Sequence, residues 1–189
     1  MTDFASRLRS SVDRYRMDVA VDDDDLIHLL AAMAASHRLD DRRTYPGHVT
    51  TSAIVVTADL AAVLLVHHRA LDRWLQPGGH WEPAATFWAS ALREAEEETG
   101  VEGAILHPWH GGRDVPIDID THAIPLRVER AEPSHWHHDL RFAFVADAGA
   151  PLRPALGEVI QAAWQPFEML ATICPRVHAR LLATGPSGK

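Results

Sequence analysis

The chain has 189 residues, of which 47% are apolar and 23% charged, with 18 Lys plus Arg against 26 Asp plus Glu and a formal net charge of -8. That is the length of one domain, or one domain with an appendage, able to bury roughly 70% of its unfolded surface. It excludes a disordered chain, and the longest apolar run, residues 60–66, is too short to cross a bilayer. The acidic balance excludes the basic footprint of a long nucleic-acid binder, although a metal ion would still admit small anions. With one cysteine, Cys174, no intramolecular disulfide is available, and the N-terminus carries charge and hydroxyls in place of an apolar signal. A cytoplasmic protein with no membrane association is expected.

Phe4, Leu8, Val12 and Tyr15 recur at helical spacing after Thr2, a candidate N-cap. Leu26, Leu29, Leu30 and Met33 do the same after the acidic run 22–25, read as a cap with favourable helix-dipole charge. Residues 1–45 are thus expected to form a short helical N-terminal extension, and the charged, Pro46-containing stretch 38–47 leads into a main domain of 46–189. Strands are expected at 53–57 and 63–67, then a loop over 75–83. Residues 86–99 hold strong helix formers without Gly or Pro and stop at Gly100, where a C-cap is expected. Further strands are predicted near 104–107, within 115–124, and at 135–145 and 159–164. Helices at 167–172 and 176–182 follow, with Pro166 and Pro175 at their starts and a loose tail after them. This interleaving predicts a mixed sheet with helices packed on it.

On the 86–99 helix, Glu94, Glu97 and Glu98 stand at i, i+3 and i+4, so their carboxylates share one face. Trp88, Ala91, Leu92 and Ala95 form the apolar stripe that turns this face away from the core. Crowded carboxylates on a rigid element suit a hard cation such as Mg²⁺, and a plain solvated acidic face is the alternative. The spacing of Gly79, Arg93-Glu94-Ala95, Glu97-Glu98 and Gly100-Val101 closely resembles the Nudix box. The approach loop Trp74 to Gly79 and a late Glu158 followed by Trp164 support the resemblance, which spans about residues 47–170. One position departs from the pattern: the first box glutamate, six residues after Gly79, is Ala85.

The resemblance implies an α/β/α sandwich around a mixed sheet and hydrolysis of a small-molecule diphosphate, by default a nucleoside diphosphate derivative. It implies Mg²⁺ or Mn²⁺ held by Glu94, Glu97 and Glu98, with the base drawn from Glu97, Glu98 and Glu158 and with Arg93 orienting the glutamates. The residue missing at Ala85 would brace Arg93, and Glu82 is a candidate substitute. The alternative reading is a non-catalytic Nudix-like binding or regulatory module. Three retained, mutually repelling carboxylates speak against it. The isomerases that share this fold need a catalytic cysteine, and Cys174 lies beyond the catalytic strands. A homodimer is compatible with the sequence.

Asp118, Asp120 and His122 alternate along one strand, and His135, His137, Asp139 and Arg141 along another, with Trp136, Leu140, Phe142 and Phe144 on the opposite side. If the two strands pair, one sheet face gathers a His, Asp and Arg cluster. Three readings stay open: an additional transition metal on the His-any-His spacing, substrate recognition by His122, His135, His137, Asp139 and Arg141, or a hydrogen-bonded polar face without ligand. His138 falls among the apolar set and is read as a core-edge histidine.

Overall fold

The strand β1 (Gly47–Val56) lies at the centre of an eight-stranded sheet. It runs parallel to β7 (His135–Val145) from Gly47 opposite Trp136 to Val56 opposite Val145. On its other side it is antiparallel to β4 (Gly78–His80) through Thr50 to Ser52, and to β2 (Ala62–His68) through Val55 and Val56. β2 also pairs with β3 (Arg73–Leu75) and β8 (Val159–Pro166), and β7 with β5 (Ile105–Leu106) and β6 (Asp118–Ile124), all antiparallel. The computed structural model describes residues 3–19, 23–35, 37–128, 131–155, 157 and 159–183. Among them no helix is long and apolar enough to cross a membrane.

Period-2 alternation gives the sheet two apolar faces. Val49, Ala53 and Val55 of β1 join Leu140, Phe142 and Phe144 of β7 in one core, covered by α1 (Phe4–Asp18), α2 (Ile27–Ala34) and α3 (Phe87–Thr99). Ile54, Val56 and Ala143 face the other core, covered by α4 (Leu170–Ile173) and α5 (Pro175–Ala183). This is the expected α/β/α sandwich with a mixed sheet. Leu8, Val12 and Tyr15 of α1 share the core of Phe87 and Phe142, so the N-terminal helices are packed into the same globule as the sheet.

Local chemistry explains the helices. Thr86 accepts the Ala89 N–H at 3.1 Å, and Gly100 closes α3 at φ 68, a left-handed conformation that glycine adopts without penalty. Phe87, Ala91 and Ala95 bury the stripe, and Phe87 alone contributes about 1.5–3 kcal/mol by leaving water. At α1 the cap is Asp3, which accepts the Ser6 N–H at 2.7 Å; Thr2 lies outside the described residues, as does the 185–189 tail. The acidic run differs from expectation. Asp23–Leu26 makes a 3₁₀ turn, Leu26 is the α2 N-cap with no side-chain bond, and Asp25 faces Arg176 at 3.5 Å.

Two further differences matter for function. β1 begins six residues before the predicted strand, because His48, Thr50 and Ser52 are polar yet face a polar patch inside the protein. The predicted loop 75–83 contains β4, since Gly78 and Gly79 have no Cβ to collide with their neighbours. A Cβ on Gly78 would lie 2.3 Å from Ser52 Oγ, and one on Gly79 2.4 Å from Glu94 Oε2.

Candidate active site

α3 docks across β1 and β4 and carries the expected glutamates to the edge of β4. Glu98 Oε2 accepts the Gly78 N–H at 3.0 Å, fixing the helix to the glycine strand. Glu94 is packed over Gly79 with only 14% of its side chain exposed, whereas Glu97 is 62% exposed and open to solvent. Burial raises the Glu94 carboxyl above its ordinary value, opposed by the neighbouring Arg93. The Arg93 guanidinium stands among three carboxylates, 3.4 Å from Glu82, 3.3 Å from Glu94 and 3.5 Å from Glu97. It is thus within ion-pair distance of two of the expected glutamates, Glu94 and Glu97, and of Glu82. Glu158 lies outside the described residues.

The backbone at Ala85 is held from an unexpected direction. Arg7 on α1 donates to the carbonyl oxygens of Ala84 and Ala85 at 2.9 and 2.7 Å, and its guanidinium lies over the Trp81 and Phe87 rings. Trp81 packs against Phe4, ring centroids 4.7 Å apart, which takes it up in the N-terminal packing.

The oxygen-rich acidic face fits a hard divalent cation. Its three carboxylates are on one rigid helix, the glycine beneath Glu94 leaves no side chain in the way, and a nearby cation would relieve the burial of Glu94. Among the described residues, however, the box glutamates are less tightly gathered than a second group, on the opposite sheet face.

That second group confirms that the histidine strands pair: Asp118 is opposite Arg141, Asp120 opposite Asp139 and His122 opposite His137. The residues share one face, and His48 on β1 and His80 on β4 join them. His48 is the parallel partner of His137, and His80 the antiparallel partner of Thr50. Ring centroids are 4.8 Å apart for His48 and His137, 5.0 Å for His48 and His135, 5.0 Å for His135 and His137, and 5.1 Å for His48 and His80. Burial, then the neighbouring imidazoles, pushes His137 down to about 2; burial, with Arg42 next, pushes His80 down to about 4. Both shifts favour the neutral imidazole at His137 and His80.

Further along the same face the charged residues neutralise one another. Arg141 donates to Asp118, Asp120 and Asp139 at 3.1, 2.9 and 3.1 Å. Asp118 also accepts from Arg176 and Arg180 at 2.9 and 2.8 Å, and Asp139 from Thr50 and Ser52 at 3.1 and 2.8 Å. Arg141 is thus committed to three carboxylates. His138 is buried, with Nδ1 3.0 Å from Thr121 Oγ1, in keeping with its core-edge reading. Cys174 is buried, 3.6 Å from Gln76 Oε1, and burial pushes its thiol up to about 12.

Sequence reasoning missed His48 as part of the cluster, and Arg176 and Arg180 as charge partners. The signal for His48 was the His48, Thr50, Ser52 alternation, visible once β1 is extended back to Gly47.

The NUDIX domain family model matches residues 46–184. The chain belongs to the Nudix family, and is a Nudix-type hydrolase acting on phosphoanhydride bonds. Its fold is similar to that of an Ap4A hydrolase from C. elegans, solved as a binary complex, at 16% identity and a TM-score of 0.51, over 72% of this chain and 98% of that one. A NUDIX family hydrolase from Clostridium perfringens is 24% identical, with a TM-score of 0.48 over 70% of this chain and 92% of that one. The E. coli dihydroneopterin triphosphate pyrophosphohydrolase is 14% identical, with a TM-score of 0.49 over 72% of this chain and 96% of that one. No curated protein matches the sequence.

Proposed function

We propose that the protein is a Mg²⁺- or Mn²⁺-dependent pyrophosphohydrolase that cleaves a diphosphate linkage in a nucleoside diphosphate derivative. The observation that carries this reading is the placing of Glu94 and Glu97 beside Arg93, with Glu98 on the Gly78 N–H, at the edge of the glycine strand β4. Glu94, Glu97 and Glu98 would hold the cation, which supplies charge neutralisation at the phosphate oxygens and a lowered pKa for water. Arg93, with Glu82 opposite, keeps the carboxylates in register on the helix. The base that takes the proton of the attacking water is one of Glu97, Glu98 and Glu158, and the Glu97 side chain is 62% exposed. Addition of water across the phosphoanhydride leaves two phosphate-bearing products.

On this reading residues 1–45 are a helical addition to a hydrolase domain of 46–189, and the single cysteine supports a cytoplasmic location. His122, His135, His137, Asp139 and Arg141 lie on the sheet face away from the glutamate helix, with Asp139 and Arg141 joined by an ion pair, so on this reading they act on substrate, if at all, only at the sheet edge. In favour of the nucleoside class stands the C. elegans neighbour, an Ap4A hydrolase, which this chain resembles in fold alone. The test is phosphate release from nucleoside diphosphate derivatives by the full chain, with Mg²⁺ or Mn²⁺ and with chelator. Metal-dependent release supports the proposal, and its absence across substrates defeats it.

A further inference from the structure

His48, His135 and His137 each offer a nitrogen donor within 4.8 Å of the other two. His48 and His135 are 1% and 3% exposed, and the Nε2 atoms of all three rings are buried without a hydrogen-bond partner. The tautomers of the first two are set by their surroundings. His48 Nδ1 lies 3.3 Å from the Thr44 carbonyl oxygen and His135 Nδ1 2.8 Å from that of Pro133. A carbonyl oxygen only accepts, so in each ring Nδ1 carries the proton and Nε2 keeps its lone pair. Buried lone pairs that converge with no donor among them are costly, because each nitrogen has given up its water. A ring held through its Nδ1–H by a backbone carbonyl, as His48 and His135 are, is how proteins prepare imidazole ligands.

We propose that His48, His135 and His137 bind a zinc ion through their Nε2 atoms, at a site separate from the glutamate helix. Three imidazoles suit Zn²⁺ far better than Mg²⁺, which prefers oxygen donors. Zn–N bonds of about 2.0–2.1 Å put the nitrogens of a tetrahedral site roughly 3.3 Å apart, so the ion draws the three rings inward. Glu132, with Oε1 3.6 Å from His135 Nε2, is placed to supply an oxygen ligand at the fourth position. The ion would tie β1 to β7 where His48 and His137 are register partners, beside His80, the residue next to Gly79. The two cation sites would then lie on opposite faces of the sheet at β4, the glutamates over Gly79 and the histidines around His80.

The test uses the full chain stripped with chelator and titrated with Zn²⁺ and with Co²⁺ in excess Mg²⁺, which occupies the glutamate site. Wild-type protein is expected to take up about one Zn²⁺ per chain, and Co²⁺ is expected to give the strong visible absorption of a four-coordinate ion. His48→Ala and His137→Ala should weaken binding beyond the roughly 10–100-fold typical of losing an outer-shell partner, and Glu97→Gln should leave it unchanged. His48→Gln and His137→Gln, checked by circular dichroism, replace any alanine variant that fails to fold. Because Glu97→Gln separates the sites, the zinc result stands or falls independently of the diphosphate reading. Absence of Zn²⁺ uptake by wild-type protein, or wild-type affinity in both histidine variants, would overturn the proposal. So would loss of binding in Glu97→Gln.

Discussion

Arg93 Nη2 lies 3.4 Å from Glu82 Oε2, three residues upstream of the position where the box pattern has a carboxylate and this chain has Ala85. We propose that Glu82 supplies the charge that a carboxylate at Ala85 would bring to the arginine. Glu82 is 67% exposed, so the pair is held loosely in energy but still sets direction. Glu82→Gln is expected to lower turnover by about 10-fold with little change in KM, and Ala85→Glu to bring no gain. A Mg²⁺ titration of turnover for both variants checks this. A several-fold rise in Ala85→Glu, with Glu82→Gln unaffected, would show that the brace is missing.

The loop at Ala85 is also pinned by α1. Arg7→Ala removes two bonds to the carbonyls of Ala84 and Ala85, and the guanidinium over Trp81 and Phe87. Hydrogen bonds from a charged donor are worth about 1.5–3 kcal/mol each, but Arg7 is partly exposed, so about 1–2 kcal/mol in total is expected. At this chain length that is a fall in Tm of roughly 2–8 °C, readable by calorimetry. An unchanged Tm would mean that the helix does not secure the loop.

Asp118 is 1% exposed and receives Arg141, Arg176 and Arg180. Removing the acid takes one buried carboxylate from three guanidinium groups at once, so Asp118→Ala is expected to destabilise the fold by about 3–5 kcal/mol in urea denaturation. A loss under about 1 kcal/mol would contradict a structural role for this network.

These contrasts show what the sequence carried. The α3 glutamates and the alternation of His135 to Arg141 were legible because each depends only on the period of its own element. The pairing that joins His48 to His137 depends on a parallel contact between strands 89 positions apart, and no local pattern announces it. β4 was hidden because its glycines signal a turn, yet serve a close approach to Ser52 and Glu94. The bonds of Arg7 to Ala84 and Ala85 were invisible for the same reason as His48: their partners meet only in the folded chain.

Asp120 gives a pH-dependent expectation. The hydrogen bond from His122, then Arg141 and Arg176, pulls its carboxyl down to about 2 against the opposing effect of burial. Its folded value is below its ordinary 3.8, so its stabilisation is present above that value and is lost as pH falls through about 2. Asp120→Asn is therefore expected to be less stable than wild type at neutral pH, with the difference shrinking as the solution is acidified toward about pH 2. Denaturation midpoints of both proteins across that range provide the check. A difference that stays constant with pH would assign the effect to packing.

Glu97 and Glu98 on α3 are proposed to serve a metal-dependent cleavage of a phosphoanhydride. The most direct measurement compares phosphate release from nucleoside diphosphate derivatives by wild type, Glu97→Gln and Glu98→Gln, across a Mg²⁺ titration, with circular dichroism confirming each fold. A neutral amide is a poor ligand for a hard cation, so each variant should keep its fold and lose most turnover, on the order of 100-fold or more. Full Mg²⁺-dependent turnover in both variants would contradict the claim.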